Sequence, residues 1–241
     1  MRRRALALLA VALALAGCGG AGEGSAGGAG TAELWITRDR GAEVLLTATV
    51  PAGLTVLQAL DREADVKTRY GGRFVQAVVV LAGDVGSRRD WFWFVNGIEG
   101  DRSAAEYRLR AGEVAWWDYR SWRGRMEEPV VVGAFPEPFV HGYRGIVRPA
   151  AVRYLAPSLE RGACAVAATI GADVVVLGDA PVPEEANVLV LAAGGPERFT
   201  ARLRTPGAGA GSPVELRFTG DPLRLVEEPE RYRYAYQVPR P

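Results

Sequence analysis

Cysteine, histidine and adjacent carboxylates are the residues of this chain whose chemistry could be put to use. One of the two cysteines, Cys18, closes the tetrapeptide Leu15-Ala16-Gly17-Cys18. Small residues ahead of a cysteine fit a bacterial lipobox, in which the thiol accepts a diacylglycerol and the chain is cut just before it. Cys164 then lacks an intrachain disulfide partner, and its apolar helical surroundings point to a buried, inert thiol. The single histidine, His141, lies in the turn-like string Phe139-Val140-His141-Gly142-Tyr143. Nucleophilic catalysis needs a nucleophile beside a base, and no serine stands in a nucleophile-elbow context, so no enzyme is expected. One histidine and one free cysteine cannot complete a structural zinc site, and no Asp-rich loop resembles a calcium site. Neither a metal nor a cofactor is expected. Glu127-Glu128, Glu184-Glu185 and Glu227-Glu228 sit beside prolines in expected loops and read as solvated charge. Gly194-Gly195 and the Gly/Ala run at 207–211 lack the strand–loop–helix frame of a dinucleotide fingerprint.

The aromatic residues are the feature that stands out. In Trp91-Phe92-Trp93-Phe94-Val95 the two tryptophans share one strand face and the two phenylalanines the other. Trp116 and Trp117 fall on opposite faces of a later strand, followed by Tyr119 and Trp122. Aromatics pack well on sheets, so a core cluster is one reading. A small sheet does not easily bury large rings on both faces, so an exposed platform is the other. As a platform, Trp91, Trp93, Trp117, Tyr119 and Trp122 would stack on a flat ligand, with Asn96 and Asp118 as polar anchors.

These residues need elements to hold them. Arg2, Arg3 and Arg4 precede an apolar run at 5–16 that is too short for a bilayer span, which needs about 20 residues. Residues 1–17 therefore read as a lipoprotein signal peptide. Residues 18–32 read as the lipidated cysteine and a Gly/Ala/Ser-rich tether with nothing to bury. Loss of the first three arginines leaves the mature chain with 26 basic and 28 acidic residues, a formal charge of −2. No basic field remains for nucleic acid.

Strands are expected at 33–38 and 43–50. A helix follows that Thr55 caps, with Gln58 completing a capping box; Val56, Leu60 and Ala64 form its apolar stripe. A largely buried strand is expected at 74–81, another at 91–95 ending in the hairpin signal Asn96-Gly97, a short one at 107–109 and one at 114–119. Residues 121–145 are too apolar for a solvated linker and are expected to pack along a domain surface. Beyond them a second small α/β domain, 146–241, is expected. It comprises strands near 146–148, 173–177, 187–191, 214–218 and 231–238, with a helix from Ser158 to Ile170 carrying Leu159, Ala163, Val166 and Ile170 on one side. Together these give an α+β fold.

Three strings carry a resemblance: Pro51-Ala52-Gly53-Leu54-Thr55-Val56-Leu57-Gln58-Ala59-Leu60, then Trp91 through Gly97, then Ala111-Gly112-Glu113 through Trp117-Asp118-Tyr119. In this order, over residues 33–120, they resemble the transcobalamin-like C-terminal domain family. The resemblance implies a β-grasp-like sheet with one packed helix and a place among bacterial surface lipoproteins. Because the equivalent domain of vertebrate cobalamin carriers closes over a corrinoid, it also implies a corrinoid-like ligand. The expectation is thus a non-catalytic, lipid-anchored protein on the outer face of the cell membrane. It would bind a small flat or amphipathic ligand for a membrane importer or for presentation. The rival expectation is a protein-interaction module of an envelope assembly.

Overall fold

The computed structural model describes residues 30–240. Cys18, the signal segment and most of the tether lie outside the described residues. The fold is α+β. Its first part comprises β1 (Thr31–Arg38), β2 (Glu43–Pro51), α1 (Val56–Glu63), β3 (Val66–Arg69), β4 (Phe74–Val78), β5 (Leu81–Ala82), β6 (Arg89–Val95), β7 (Ile98–Glu99) and β8 (Val114–Ser121). A five-stranded sheet has the order β2-β1-β8-β6-β7, and β3-β4-β5 form a separate three-stranded sheet. β1 and β8 pair in parallel at the centre, and the other ladders of the large sheet are antiparallel.

Local chemistry accounts for much of this. Thr55 accepts from the Gln58 N–H at 3.1 Å while the Gln58 side chain accepts from the Thr55 N–H at 2.9 Å, so α1 starts on a complete capping box. Val56 and Leu60 are fully buried against the sheet. Asn96 and Gly97 have φ of 52° and 76°, the paired positive values that a tight hairpin turn needs.

Residues 150–227 build a second five-stranded sheet, order β10-β9-β11-β13-β12, from β9 (Ala150–Tyr154), α2 (Glu160–Ile170), β10 (Val174–Leu177), β11 (Asn187–Ala192), β12 (Arg198–Leu203), β13 (Val214–Thr219) and α3 (Leu223–Glu227). Its ladders are parallel except β12 with β13. Leu159, Ala163, Val166 and Ile170 are all buried beneath α2. One apolar core runs through both sheets, from Leu34 and Trp117 through Phe135 and Phe139 to Leu189 and Phe218. Much of the 121–145 segment is interior rather than superficial: Val130, Val132, Phe135, Phe139 and Tyr143 are buried in that core, while residues 123–127 and 144–145 stay exposed.

Several expectations are corrected. Residues 231–238 form no strand: Pro229–Tyr232 is a short 3-10 helix, and the chain then crosses to the first sheet, with only Val238 bridging to Phe199. The 74–81 strand breaks at Val79, whose φ is 55°, and Val79 and Val80 are exposed. Residues 107–109 and 146–148 form no strand; Arg108 makes a single bridge to Thr55. Ser158 does not cap α2, which is preceded by the 3-10 turn Pro157–Leu159. Cys164 is exposed rather than buried, because it lies off the stripe that faces the sheet. Glu128 is buried, ion-paired with Arg40 and 3.3 Å from Arg125, so it is not solvated charge.

Candidate functional site

Strand alternation sorts the aromatic residues onto the two faces of the first sheet. On the face under α1, Trp93 stands directly opposite Trp117 and Trp91 opposite Tyr119. On the other face Phe94 stands opposite Trp116, and both pack with Trp35, Val131, Ala134 and Tyr236 in a separate core. The second face is thus covered by the chain itself, by residues 131–134 and by the crossing C-terminal segment. Tyr236 meets Phe94 and Trp116 edge-on, each at 5.4 Å between ring centroids.

Of the two readings of the aromatic cluster, the core cluster holds for most of these rings and the exposed platform does not. Trp91, Trp117 and Tyr119 are buried, Trp117 to 2% exposure. Asn96 is fully buried. Its side chain donates to the Gly142 carbonyl and accepts from the Val114 N–H, each at 2.8 Å, pinning the hairpin to a neighbouring turn. Asp118 is fully buried on the far face. Its carboxylate accepts from Thr37 Oγ1 at 2.6 Å, Tyr236 OH at 2.9 Å and the backbone N–H groups of Arg40 and Gly41 at 3.1 Å. Burial is the largest influence on this carboxyl and holds its pKa above the usual value, against the pull of its donors. Tyr119 donates to the Ala82 carbonyl at 2.8 Å. Trp122 is half-buried at the sheet's end under the Arg88 guanidinium, 5.8 Å from its ring.

Three of the singled-out residues do converge. Trp91, Trp93 and Trp117 line a cavity of about 200 Å³ between α1, β4 and the loop after β7. Leu57, Phe74 and Val75 add apolar wall, and Arg73, Glu99, Arg102 and Ser103 add polar rim. Trp93 is only half-buried and meets Tyr107 edge-on at 5.9 Å. Gly100 allows this placement, because a Cβ there would lie 2.1 Å from the Trp93 ring. The Trp91 indole N–H donates to the Leu81 carbonyl at 2.9 Å. The Trp117 indole N–H, buried in the same wall, has no partner among the described residues. A buried indole donor without an acceptor costs about 1–3 kcal/mol. Glu99 sits at the rim with its carboxylate 3.1 Å from Arg120, and burial shifts its pKa upward. Arg73, Glu99, Arg102 and Ser103 were not evident in the sequence because they come from the β3–β4 turn, the end of β7 and the loop after it; Gly100 directly after the hairpin was the available signal.

Other reactive candidates stay apart. His141 is bonded to Glu137 through its ring, and its backbone N–H reaches the same carboxylate at 2.9 Å. Cys164 lies on α2 beside the second sheet. Among the described residues no group of three or more histidine, cysteine or acidic side chains could hold a metal ion, and no helix is long and apolar enough to cross a membrane.

Residues 53–121 match the model of a family described as a domain of unknown function, DUF4430, which is transcobalamin-like. No curated protein matches the chain. Among solved structures, a protein from Ruminococcus gnavus ATCC 29149 described as a candidate metal binding protein is similar at 13% identity and TM-score 0.31. The match covers 38% of this chain and 97% of that one. Haptocorrin in complex with Cbi is similar at 17% identity and TM-score 0.31, over 38% of this chain and 25% of its own.

Proposed function

We propose that this chain is a non-catalytic lipoprotein, held at the outer face of the cell membrane through Cys18, whose first sheet and helix bind a small flat or amphipathic ligand. The observation that carries the reading is the cavity walled by Trp91, Trp93 and Trp117 with the Trp117 indole N–H left unpartnered. A planar ring fits against the half-buried Trp93, and a small shift of the Trp117 indole, which is buried in the cavity wall, would bring its unpartnered N–H to an acceptor on that ring. The transcobalamin-like match supports ligand capture as the role. A volume of about 200 Å³ admits one or two fused rings; a corrin macrocycle is larger, so a corrinoid would present an edge to the cleft and need a second body to cover the rest. Delivery to a membrane importer is the use that fits a tethered binder.

Tryptophan fluorescence during titration with flat heteroaromatic ligands and with a corrinoid tests this. Quenching is expected, weakened by Trp93→Ala and by Trp117→Phe, which removes the donor and keeps the ring. If no ligand quenches, or if Trp117→Phe binds as well as wild type, the reading fails. One observation favours the interaction-module alternative: Tyr70, Val79, Val80 and Val85 are exposed in the turns and loop that flank the three-stranded sheet. Exposed apolar side chains of that kind suit a protein partner.

A further inference from the structure

A second concavity adjoins the tryptophan cleft and shares Arg102 with it. Its volume is about 330 Å³, and its lining is Arg102, Glu106, Tyr107, Arg108, Arg110 and Arg144. Four guanidiniums gather there although the mature chain carries more acid than base. The fold offsets them only in part. Arg102 bonds Asp101 at 3.0 Å, and Arg144 stands 3.8 Å from the same carboxylate. Arg108 donates to the Gly53 carbonyl at 2.9 Å, which leaves its charge unpaired. Arg110 is 3.8 Å from Glu113, a carboxylate buried beneath the basin and held by Tyr107 OH at 3.0 Å. With Asp101 and Glu106 as the acids at the surface, the basin stays positive.

Its position is as informative as its charge. The described chain begins at Gly30, where an added Cβ would lie 2.6 Å from the Cβ of Ala111. The Gly112 N–H donates to the Thr31 carbonyl at 2.8 Å. The tether therefore enters the fold beside Arg110. Cys18 precedes Gly30 by twelve residues, a length that reaches at most about 40 Å. Arg144 and Gly145 form the tip of a tight turn whose ends, Tyr143 and Ile146, exchange backbone hydrogen bonds of 3.1 and 3.0 Å. Directly after that tip Ile146 and Val147 are 62% and 55% exposed. An apolar pair among guanidiniums suits the boundary between headgroups and acyl chains.

We infer that this face lies on the membrane, with Arg102, Arg108, Arg110 and Arg144 holding the phosphate of an anionic lipid headgroup and Ile146-Val147 entering the interface. The geometry rests on the reading that Cys18 is lipidated; the binding is a property of the folded residues alone. Each arginine near an anionic surface contributes about fivefold in affinity.

The test uses residues 18–241 with Cys18→Ser, so that no acyl chain contributes, in co-sedimentation with vesicles. Retention is expected on phosphatidylglycerol vesicles and not on phosphatidylcholine vesicles. Arg110→Gln with Arg144→Gln should lower it about 25-fold, and Ile146→Ser with Val147→Ser should weaken it further, whereas Arg202→Gln on the second sheet should leave it unchanged. Equal retention of the Arg110/Arg144 variant, or an equal loss with Arg202→Gln, overturns the inference. So does calorimetric binding of inorganic phosphate that competes fully with the vesicles, which would mark a free-phosphate site. The mass of the native protein's amino-terminal peptide reports lipidation separately, so failure of the anchor and failure of the basin are told apart.

Discussion

Asp118→Ala should destabilise the protein strongly without touching the ligand cleft. The carboxylate serves four donors from three separate segments: Thr37, the Arg40-Gly41 turn and Tyr236. After truncation the Thr37 hydroxyl can turn to the Trp117 carbonyl, 3.4 Å away. The Arg40 and Gly41 N–H groups and the Tyr236 hydroxyl are left without an acceptor, at about 1–3 kcal/mol each. Relief of the buried charge's own desolvation offsets part of this, so the net loss is set at about 3–4 kcal/mol. For a chain of this size that is a fall of roughly 6–15 °C in Tm. Thermal unfolding followed by circular dichroism measures it, with Tyr236→Phe as a milder companion at about 1 kcal/mol. A shift below about 2 °C in Asp118→Ala would refute the view that this carboxylate ties the C-terminal segment to the first sheet. Weakened ligand quenching in a variant still fully folded would return Asp118 to the role of ligand anchor.

Further outcomes are open to measurement. Burial keeps the folded Asp118 carboxyl above its ordinary pKa of 3.8. The folded state thus takes up this proton before the unfolded chain does. The group's contribution to stability is full below 3.8 and is lost as pH rises through the folded value. The stability of wild type relative to Asp118→Asn should therefore grow as pH falls from about 7 to about 4 in denaturant titrations; a shrinking difference contradicts the sign. Gly97→Val should cost at least about 2 kcal/mol, because φ there is 76° and a Cβ would meet the Val131 carbonyl oxygen at 2.8 Å; an unchanged midpoint would refute the turn geometry. Cys164 should react fully with a maleimide in the absence of denaturant, and protection until unfolding would contradict its exposure. Cys18→Ala should leave the protein unprocessed or release it from the membrane fraction, and a variant with the wild-type acylated mass would end the lipoprotein reading.

Short-range signals transferred well from sequence to structure. The Thr55/Gln58 box, the Asn96-Gly97 turn and the split of Trp91 and Trp93 from Phe92 and Phe94 all depend on neighbours within a few residues. What failed depended on distant chain. The platform stood as an alternative to a core cluster because one small sheet cannot bury rings on both faces alone. Here residues 131–134 and Tyr236 supply the missing cover for Phe94 and Trp116, and no local pattern announces a cover from that far away. The alternation of Tyr232, Tyr234 and Tyr236 looks like a strand, yet those rings fill gaps in two different cores. Val79 and Val80 carry strand propensity but sit in a turn, where the short hairpin from β4 to β5 overrides residue preference. The cleft was legible only in its aromatic wall, since its rim comes from a turn, the end of β7 and a loop, which neither periodicity nor spacing can align.

The crossing of the C-terminal segment has a consequence for how the molecule is made. Asp118 and Tyr236 are 118 residues apart in sequence. A chain crossing the membrane amino-terminus first has the whole first sheet outside well before Tyr236 arrives to complete its cover. During that interval Trp35, Phe94 and Trp116 form an open aromatic surface on a half-finished sheet, the kind of surface that recruits chaperones or sticks to a neighbour. Closing it requires a contact of very long loop, which is slow to find. Completion of the first sheet is therefore timed by the second, and the two halves mature as one event rather than in succession.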